Sequence, residues 1–197
     1  MGKQGSDKPM IEPKKLLPWI AMFAVLVITL FQLHSQGRIW WCSCGNCNLW
    51  TGDIWSLHNS QHLFDPYSFT HILHGVLFCG ILAWLLPKIP LIWRLWMTVC
   101  LEAAWEVFEN SQFIIQRYRE STMALGYEGD TIINSMGDIL SCIAGFILAR
   151  YLGLRYSIIL FAVIELVLLF WIRDNLTLNM IMLVCPIGAI KGWQMIH

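Results

Sequence analysis

The sequence predicts an all-α fold, a polytopic transmembrane helical bundle of about six spans, and three observations carry that expectation. Hydrophobic residues make up 57% of the 197-residue chain and charged residues only 13%. Mean hydropathy is +0.57. A soluble domain usually carries about 25% charged residues, so this chain has too little charge to cover a core in water. The third observation is the arrangement of apolar residues in six stretches, each near the length that crosses a bilayer, about 20 residues. Net charge is zero, which gives no footprint for nucleic acid.

The first stretch, 16–33, is too long for a signal-peptide core. It runs into Phe31-Gln32-Leu33-His34 with no small-residue cleavage site, so it reads as a retained anchor. The second and third, 69–86 and 95–116, are followed by 132–149 and 157–172. The sixth, 176–190, is short and holds Pro186 and Gly188, so a re-entrant segment is the alternative to a full crossing. The whole chain reads as one transmembrane domain, with a cytoplasmic tail over 1–15 and an outer loop over 34–68.

Basic residues set the expected orientation, because cytoplasmic flanks are enriched in Lys and Arg. Lys3, Lys8, Lys14 and Lys15, then Lys88 and Arg94, Arg150 and Arg155, and Lys191 fall on one face. Arg38, Arg117, Arg119 and Arg173 fall on the other. Both termini are therefore expected in the cytoplasm, with residues 34–68 and 117–131 facing a periplasm. Trp40, Trp41, Trp50 and Trp55 suit the outer interface, where an amphipathic ring is half wet. The expected location is the inner (plasma) membrane, and the expected partner is the lipid bilayer.

The outer loop carries Cys42, Cys44 and Cys47. In an oxidising compartment a disulfide is expected, and Cys42–Cys47 closes more easily than Cys42–Cys44. A metal site completed by His58 and His62, at helical i,i+4 spacing, is the alternative, as are free thiols.

Ionisable residues inside apolar helices are the informative anomaly, since each costs about 2.5–3.5 kcal/mol at the bilayer centre on insertion scales. Glu102, Glu106 and Glu109 fall within about 60° of one another on a helix, a single stripe. Asp130, Asn134, Asp138 and Ser141 form a second stripe, and His71 and His74 a third. Counting about 1.5 Å per residue from the expected outer boundaries places His74, Glu109 and Asp138 roughly 10 Å deep, at one level. Imidazole and carboxylate together suit a divalent metal such as zinc, manganese or iron. The expected ligands are His71, His74 and Glu109, with Glu106 or Asp138 as general base. His62, Asp65, Asn110, Asp130 and Asn134 are the expected substrate-binding groups. Glu165, mid-helix in the fifth stretch, is expected to bond a neighbouring backbone in its protonated form.

Several longer motifs carry a family resemblance. The run Asn59 to Gly75 (NSQHLFDPYSFTHILHG), Trp41-Cys42, the run Glu102 to Asn110 (EAAWEVFEN) and the pairs Gly129-Asp130 and Gly137-Asp138 together span most of the chain. They resemble a small bacterial family of uncharacterised inner-membrane proteins known as a domain of unknown function. That resemblance implies a multi-pass membrane protein and supplies no activity. More loosely, the Glu-rich helix followed by two spaced aspartates is similar to VanZ-like membrane proteins.

The functional expectation is a metal-dependent hydrolase or transferase acting on a lipid or lipid-linked envelope substrate at the outer face. The alternatives are a non-enzymatic scaffold and a proton-coupled transporter built on a buried polar network. Whether the chain is an enzyme stays open on sequence alone.

Overall fold

The computed structural model describes residues 13–46, 48–124 and 126–196. Among these are seven helices and no strand: α1 (Pro13–Ser35), α2 (Ser68–Leu85), α3 (Leu91–Glu109), α4 (Gln112–Ser121), α5 (Ile132–Ile172), α6 (Leu176–Val184) and α7 (Gly188–Gln194). Lys3 and Lys8 of the basic tail lie outside the described residues, as does Cys47.

Three helices are long and apolar enough to cross a membrane: α1 from Lys15, α2 and α5. At 19 residues α3 is long enough as well, but it carries Arg94, Glu102, Glu106 and Glu109. Bare apolar surface lies where lipid would be. Phe23, Ile28 and Phe31 on α1 and Ile158, Val163 and Phe170 on α5 are each at least half exposed.

A straight helix of 41 residues would be about 60 Å long. Yet both ends of α5 meet the loop that joins α1 to α2. Ile132 N–H donates to Ile39 O at its start, and Trp171 stacks on Trp50 at its finish. The helix folds back on itself at Gly153, whose φ of 71° and ψ of 173° no helix admits. Only glycine adopts that conformation cheaply. Ser157 Oγ closes the reversal by donating to Gly153 O and Ala149 O. The two arms match the expected stretches 132–149 and 157–172.

The other ends follow from this. α1 ends at the loop, α2 runs away from it, α3 returns, and the two arms of α5 go out and back. Lys88, Arg94, Arg150 and Arg155 therefore share the end opposite the loop.

The stretch 176–190 does not make a sixth rod. It forms α6 and α7, of nine and seven residues, each too short to cross a bilayer. Both dock at the loop end. Lys191 Nζ donates to Glu120 O (2.6 Å), Gln194 Nε2 to Asp174 Oδ1 (3.1 Å) and Arg117 Nε to Leu183 O (2.8 Å). Lys191 was expected opposite residues 117–131 and instead bonds to one of them. The C-terminal segment thus lies beside α4 rather than beside α1's start. Pro186 and the surrounding non-helical turn divide the apolar run in two, and hydropathy cannot register that.

The third stretch is corrected too. α3 stops at Glu109, not 116, because Asn110 leaves the helix and Ser111 caps a new one by accepting from Ile114 N–H. α4 is amphipathic, burying Ile114, Ile115 and Tyr118 and exposing Gln112, Phe113, Gln116 and Glu120.

Packing is tightest between α2 and the first arm of α5. A Cβ on Gly75 would overlap Cys142 O, and one on Gly145 would overlap Ile72 O. Small residues let two backbones meet, which is how helices associate where no hydrophobic effect separates them from lipid. Val76, Cys79, Phe146 and Ala149 form the core beside this contact, with Leu160 and Phe161 of the returning arm against it. Met22, Val99, Ala103 and Ile139 join α1, α3 and α5.

Candidate functional site

The glycine contact sets α2 so that the stripe running one turn and two turns before it, His71 and Ser68, meets the start of α5, with His71 and His74 reaching α3. His71 Nδ1 lies 2.5 Å from Glu102 Oε1 and 3.4 Å from Glu106 Oε1. His71 Nε2 lies 3.9 Å from Asp138 Oδ2. His74 Nδ1 lies 3.1 Å from both oxygens of Glu102. Ser68 Oγ donates to Asp138 Oδ1 at 2.9 Å.

Three groups result whose ligand atoms lie within 4.8 Å of one another: His71, His74 and Glu102; His71, Glu106 and Asp138; Glu106, Glu109 and Asp130. His71 joins the first two and Glu106 the last two. The expected ligand set of His71, His74 and Glu109 is therefore divided between groups. His74 is level with Glu102, deeper than expected, while Glu109 is level with Asp130 at the mouth. The cause is the early end of α3, which puts Glu109 at the helix terminus. Glu102, on the expected stripe but not among the expected site residues, turns out to be the partner of both histidines. Its i−4 spacing from Glu106 was the signal.

Glu106 is fully buried, and neither carboxylate oxygen has a hydrogen-bond donor among the described residues. Buried polar groups are almost always satisfied, and an uncompensated buried carboxylate is among the costliest groups a protein can hold. Glu109, Asp130 and Asp138 add further carboxylates around it, and the nearby His71 Nδ1, at 3.4 Å, is already engaged by Glu102. A cation is what this set of donors fits.

The remaining expected residues divide by what they touch. Asn110 and Asp130 hold each other: Asp130 N–H donates to Asn110 Oδ1 (2.7 Å) and Asn110 Nδ2 donates to Asp130 Oδ2 (2.9 Å). Tyr127 O–H donates to Asp130 Oδ1 at 3.0 Å. Burial pushes the Asp130 carboxyl up to about 6, against the pull of the Tyr127 and Asn110 bonds. Asn134 Nδ2 donates to His62 O (2.8 Å), and Asp65 accepts from the N–H groups of Ser60 (2.9 Å) and Tyr67 (2.7 Å). His62, Asp65 and Asn134 thus tie the loop to α5. Burial raises the Asp65 carboxyl above its ordinary range, and the N–H bonds from Tyr67 and Ser60 oppose it.

The cluster opens toward the loop end through a cleft with about 60 Å³ of room for water-sized bodies. That is space for several waters or an ion with its waters. Asp65, His71, His74, Glu109, Asp130, Asn134 and Asp138 line it, whereas Glu106, Asn110 and His62 do not. Tyr67, Tyr118, Tyr127 and Asp174 also line it and had no signal in the spacing. Glu165 is apart from the cluster. Its Oε1 and Oε2 accept from the N–H groups of Leu176 (2.9 Å) and Thr177 (3.2 Å), the backbone bonding expected of it.

Residues 33–196 match a family described as protein of unknown function, DUF2585. The chain belongs to this family. Its curated relatives include a UPF0314 protein of Sphingopyxis alaskensis, 45% identical over 176 residues, which cover 89% of this chain and 94% of the relative. A UPF0314 protein of Sinorhizobium fredii is 45% identical over 175 residues, covering 89% of each. One of Paracoccus denitrificans is 39% identical over 181 residues, covering 92% and 94%. These names state no activity, cofactor or location. The looser likeness to VanZ-like membrane proteins finds no support in these matches. No solved structure matches.

Proposed function

We propose that this family member is an inner-membrane protein that holds a divalent metal ion among His71, Glu106 and Asp138, and acts as a metal-dependent hydrolase or transferase. The single observation that carries the metal is Glu106, a buried carboxylate with no donor on either oxygen. Glu109 and Asp130 extend the ligand set toward the cleft, and His74 with Glu102 forms its floor. Mixed imidazole and carboxylate donors suit zinc, manganese or iron.

A divalent ion supplies Lewis acidity at such a site. The chain's own residues do the rest. Asp138, held at Oδ1 by Ser68, keeps Oδ2 toward His71, the orientation that would hold the ion. Glu102 accepts from His71 Nδ1–H and fixes that ring's orientation, as a carboxylate behind a ligand histidine does. Tyr127 and Asn110 orient Asp130 at the mouth.

Five crossings fit the rods: α1, α2, α3 and the two arms of α5. The basic residues at the end opposite the loop then put that end in the cytoplasm and the cleft at the periplasmic face. A substrate reaching a half-buried polar cleft from that side is a lipid or a lipid-linked envelope precursor. Reporters fused at residues 50, 88 and 124 should read out, in and out, and one at the C-terminus should read out. A cytoplasmic C-terminus would restore the six-span arrangement and remove the five-rod reading.

Metal content tests the site itself. Protein purified in detergent without chelator should carry a divalent transition metal, and Glu106→Gln should carry about one equivalent less per chain while eluting as the same species. Equal metal content in the two proteins would sink the proposal. The near-continuous row from Glu102 through His71 to Asp138 favours one other reading, proton transfer across the cluster. That reading requires equal metal content in wild-type protein and Glu106→Gln together with loss of cellular function in the variant.

A further inference from the structure

We propose that the loop between α1 and α2 carries a second, structural zinc site made by Cys42, Cys44, His58 and His62, independent of the cluster inside the bundle. One ligand atom from each of these four side chains lies within 4.8 Å of all the others. Tetrahedral zinc, with bonds of about 2.3 Å to sulfur and 2.0–2.1 Å to nitrogen, sets its ligand atoms roughly 3.3–3.8 Å apart. Cys42 Sγ and His58 Nδ1 already stand 3.3 Å apart.

Local backbone builds each half. Gly45 N–H donates to Cys42 O (3.1 Å), closing a tight turn, and Gly45 has a φ of +82° that a residue with a Cβ adopts only under strain. Within that turn Cys44 N–H donates to Cys42 Sγ (3.3 Å), a bond that favours the thiolate a metal needs. The histidine half is not the helical pair that its i,i+4 spacing suggests. Turns over residues 54–60, with Ser60 at a φ of +60°, bring His58 and His62 face to face at 5.5 Å and 22°. Asn48 N–H donates to His62 Nδ1 at 3.2 Å and is the partner that an ion at that nitrogen displaces. Cys42 and Cys44 are both free thiols, and Cys42 and His62 are buried while Cys44 and His58 are exposed. The set is thus half sheltered and open on one side for ion entry. Four protein ligands close the coordination shell, which marks a structural site rather than a catalytic one.

The loop needs such a staple. Across its described residues between α1 and α2, its regular pairing is one isolated bridge, Trp50 to Phe64. Long loops without secondary structure of their own are uncommon in compact domains. The clamp also bears on the cleft, because residues 60–62 roof the start of α5. Thr131 N–H donates to Ser60 O (3.0 Å), Gln61 Nε2 donates to Gly129 O (3.0 Å), and Asn134 bonds His62 O.

Cobalt(II) separates this site from the bundle cluster, which has no sulfur among its ligands. The full chain, purified in detergent under reductant and then stripped, is titrated with Co(II) and afterwards with Zn(II). Wild-type protein and Glu106→Gln should both develop a sulfur-to-cobalt charge-transfer band with tetrahedral d–d bands, and Zn(II) should bleach both. Cys44→Ser should lose the charge-transfer band or reduce it to that of a single thiolate, and Cys47→Ser should keep it whole. Alkylation of wild-type protein, which needs no variant to fold, should leave Cys42 and Cys44 protected with Zn(II) and reactive with chelator. No charge-transfer band in wild-type protein overturns the proposal. So does alkylation that Zn(II) does not slow, or a band lost in Cys47→Ser and retained in Cys44→Ser. Cys42 or Cys44 found in a disulfide in protein isolated without reductant would overturn it equally.

Discussion

Two adjoining strips of the α2 surface are built on opposite plans. Toward α5 it offers Gly75, against which the backbone of Cys142 closes so tightly that one added carbon collides. Toward α3 it offers His71 and His74, which meet carboxylates whose charges the described protein groups do not fully compensate. The first face is complete, and its geometry has one solution because backbone atoms cannot move aside. The second leaves Glu106 without donors. A rigid contact at one turn of a helix holds an unfinished polar surface in place at the turn before it, and that combination is what a preorganised site requires.

The contrast is broken most severely at the closed face. Gly75→Leu drives a side chain into α5 and should cost more than about 3 kcal/mol, with little monodisperse protein recovered. Gly80→Leu, on the same helix with no atoms near its missing Cβ, should cost less than about 1 kcal/mol. Equal yields and melting temperatures for the two variants would dissolve the distinction between the faces.

The open face should respond with the opposite sign. In excess chelator, Glu106→Gln removes an uncompensated buried charge and should melt at the same temperature or higher, by roughly 1–3 kcal/mol of stability. With divalent metal present the order should reverse, because both gain from binding at the loop but only the wild type gains from binding at the cluster. A variant that is less stable in chelator would mean Glu106 is satisfied by the protein alone.

Glu165 sharpens the comparison as a carboxylate that is fully employed. It accepts from two N–H groups at the start of α6, donors that the helix itself leaves without a partner. Glu165→Gln should cost about 0.5–2 kcal/mol locally, read as faster amide exchange over residues 176–180 with the rest of the chain unchanged.

The smallest effect is expected at Asp174, whose carboxyl burial pushes up to about 6 from its ordinary 3.8, against bonds from Asn175, Asn179, Tyr67 and Gln194. A raised carboxyl stabilises the fold below pH 3.8 and loses that contribution as pH rises through 6. Asp174→Asn has no proton to lose. Its melting temperature, taken relative to wild type, should therefore rise between pH 4 and pH 7. A constant difference across that range would remove Asp174 from the pH response.

Hydropathy made the rods legible, because membrane-length apolar runs leave few other readings. The same signal misjudged where they end. It carried the third stretch through Asn110 and Ser111, which are polar enough to stop a helix yet too few to lower a window average. It also joined α6 to α7 across Pro186. The site was legible as stripes of carboxylate and imidazole, since helical periodicity places side chains around an axis reliably. Depth was less so. Each misjudged end shifts every level counted from it, which moved Glu109 to the mouth and brought Glu102 to His74. The loop's Cys and His residues were visible as types, but the turns that gather them depend on Gly45 and Ser60 adopting left-handed backbone.

The His71–Glu102 contact has a further consequence during biogenesis. A helix bearing three carboxylates partitions poorly into lipid by itself. Its imidazole partners sit on the helix synthesised just before it, across a connection of residues 86–90. On the proposed five-crossing reading, α2 and α3 enter the bilayer best as a hairpin, each masking the other's polar stripe before α5 exists to shield them. On that reading the pairing proposed to orient the site first serves as the passport by which its acidic half leaves water.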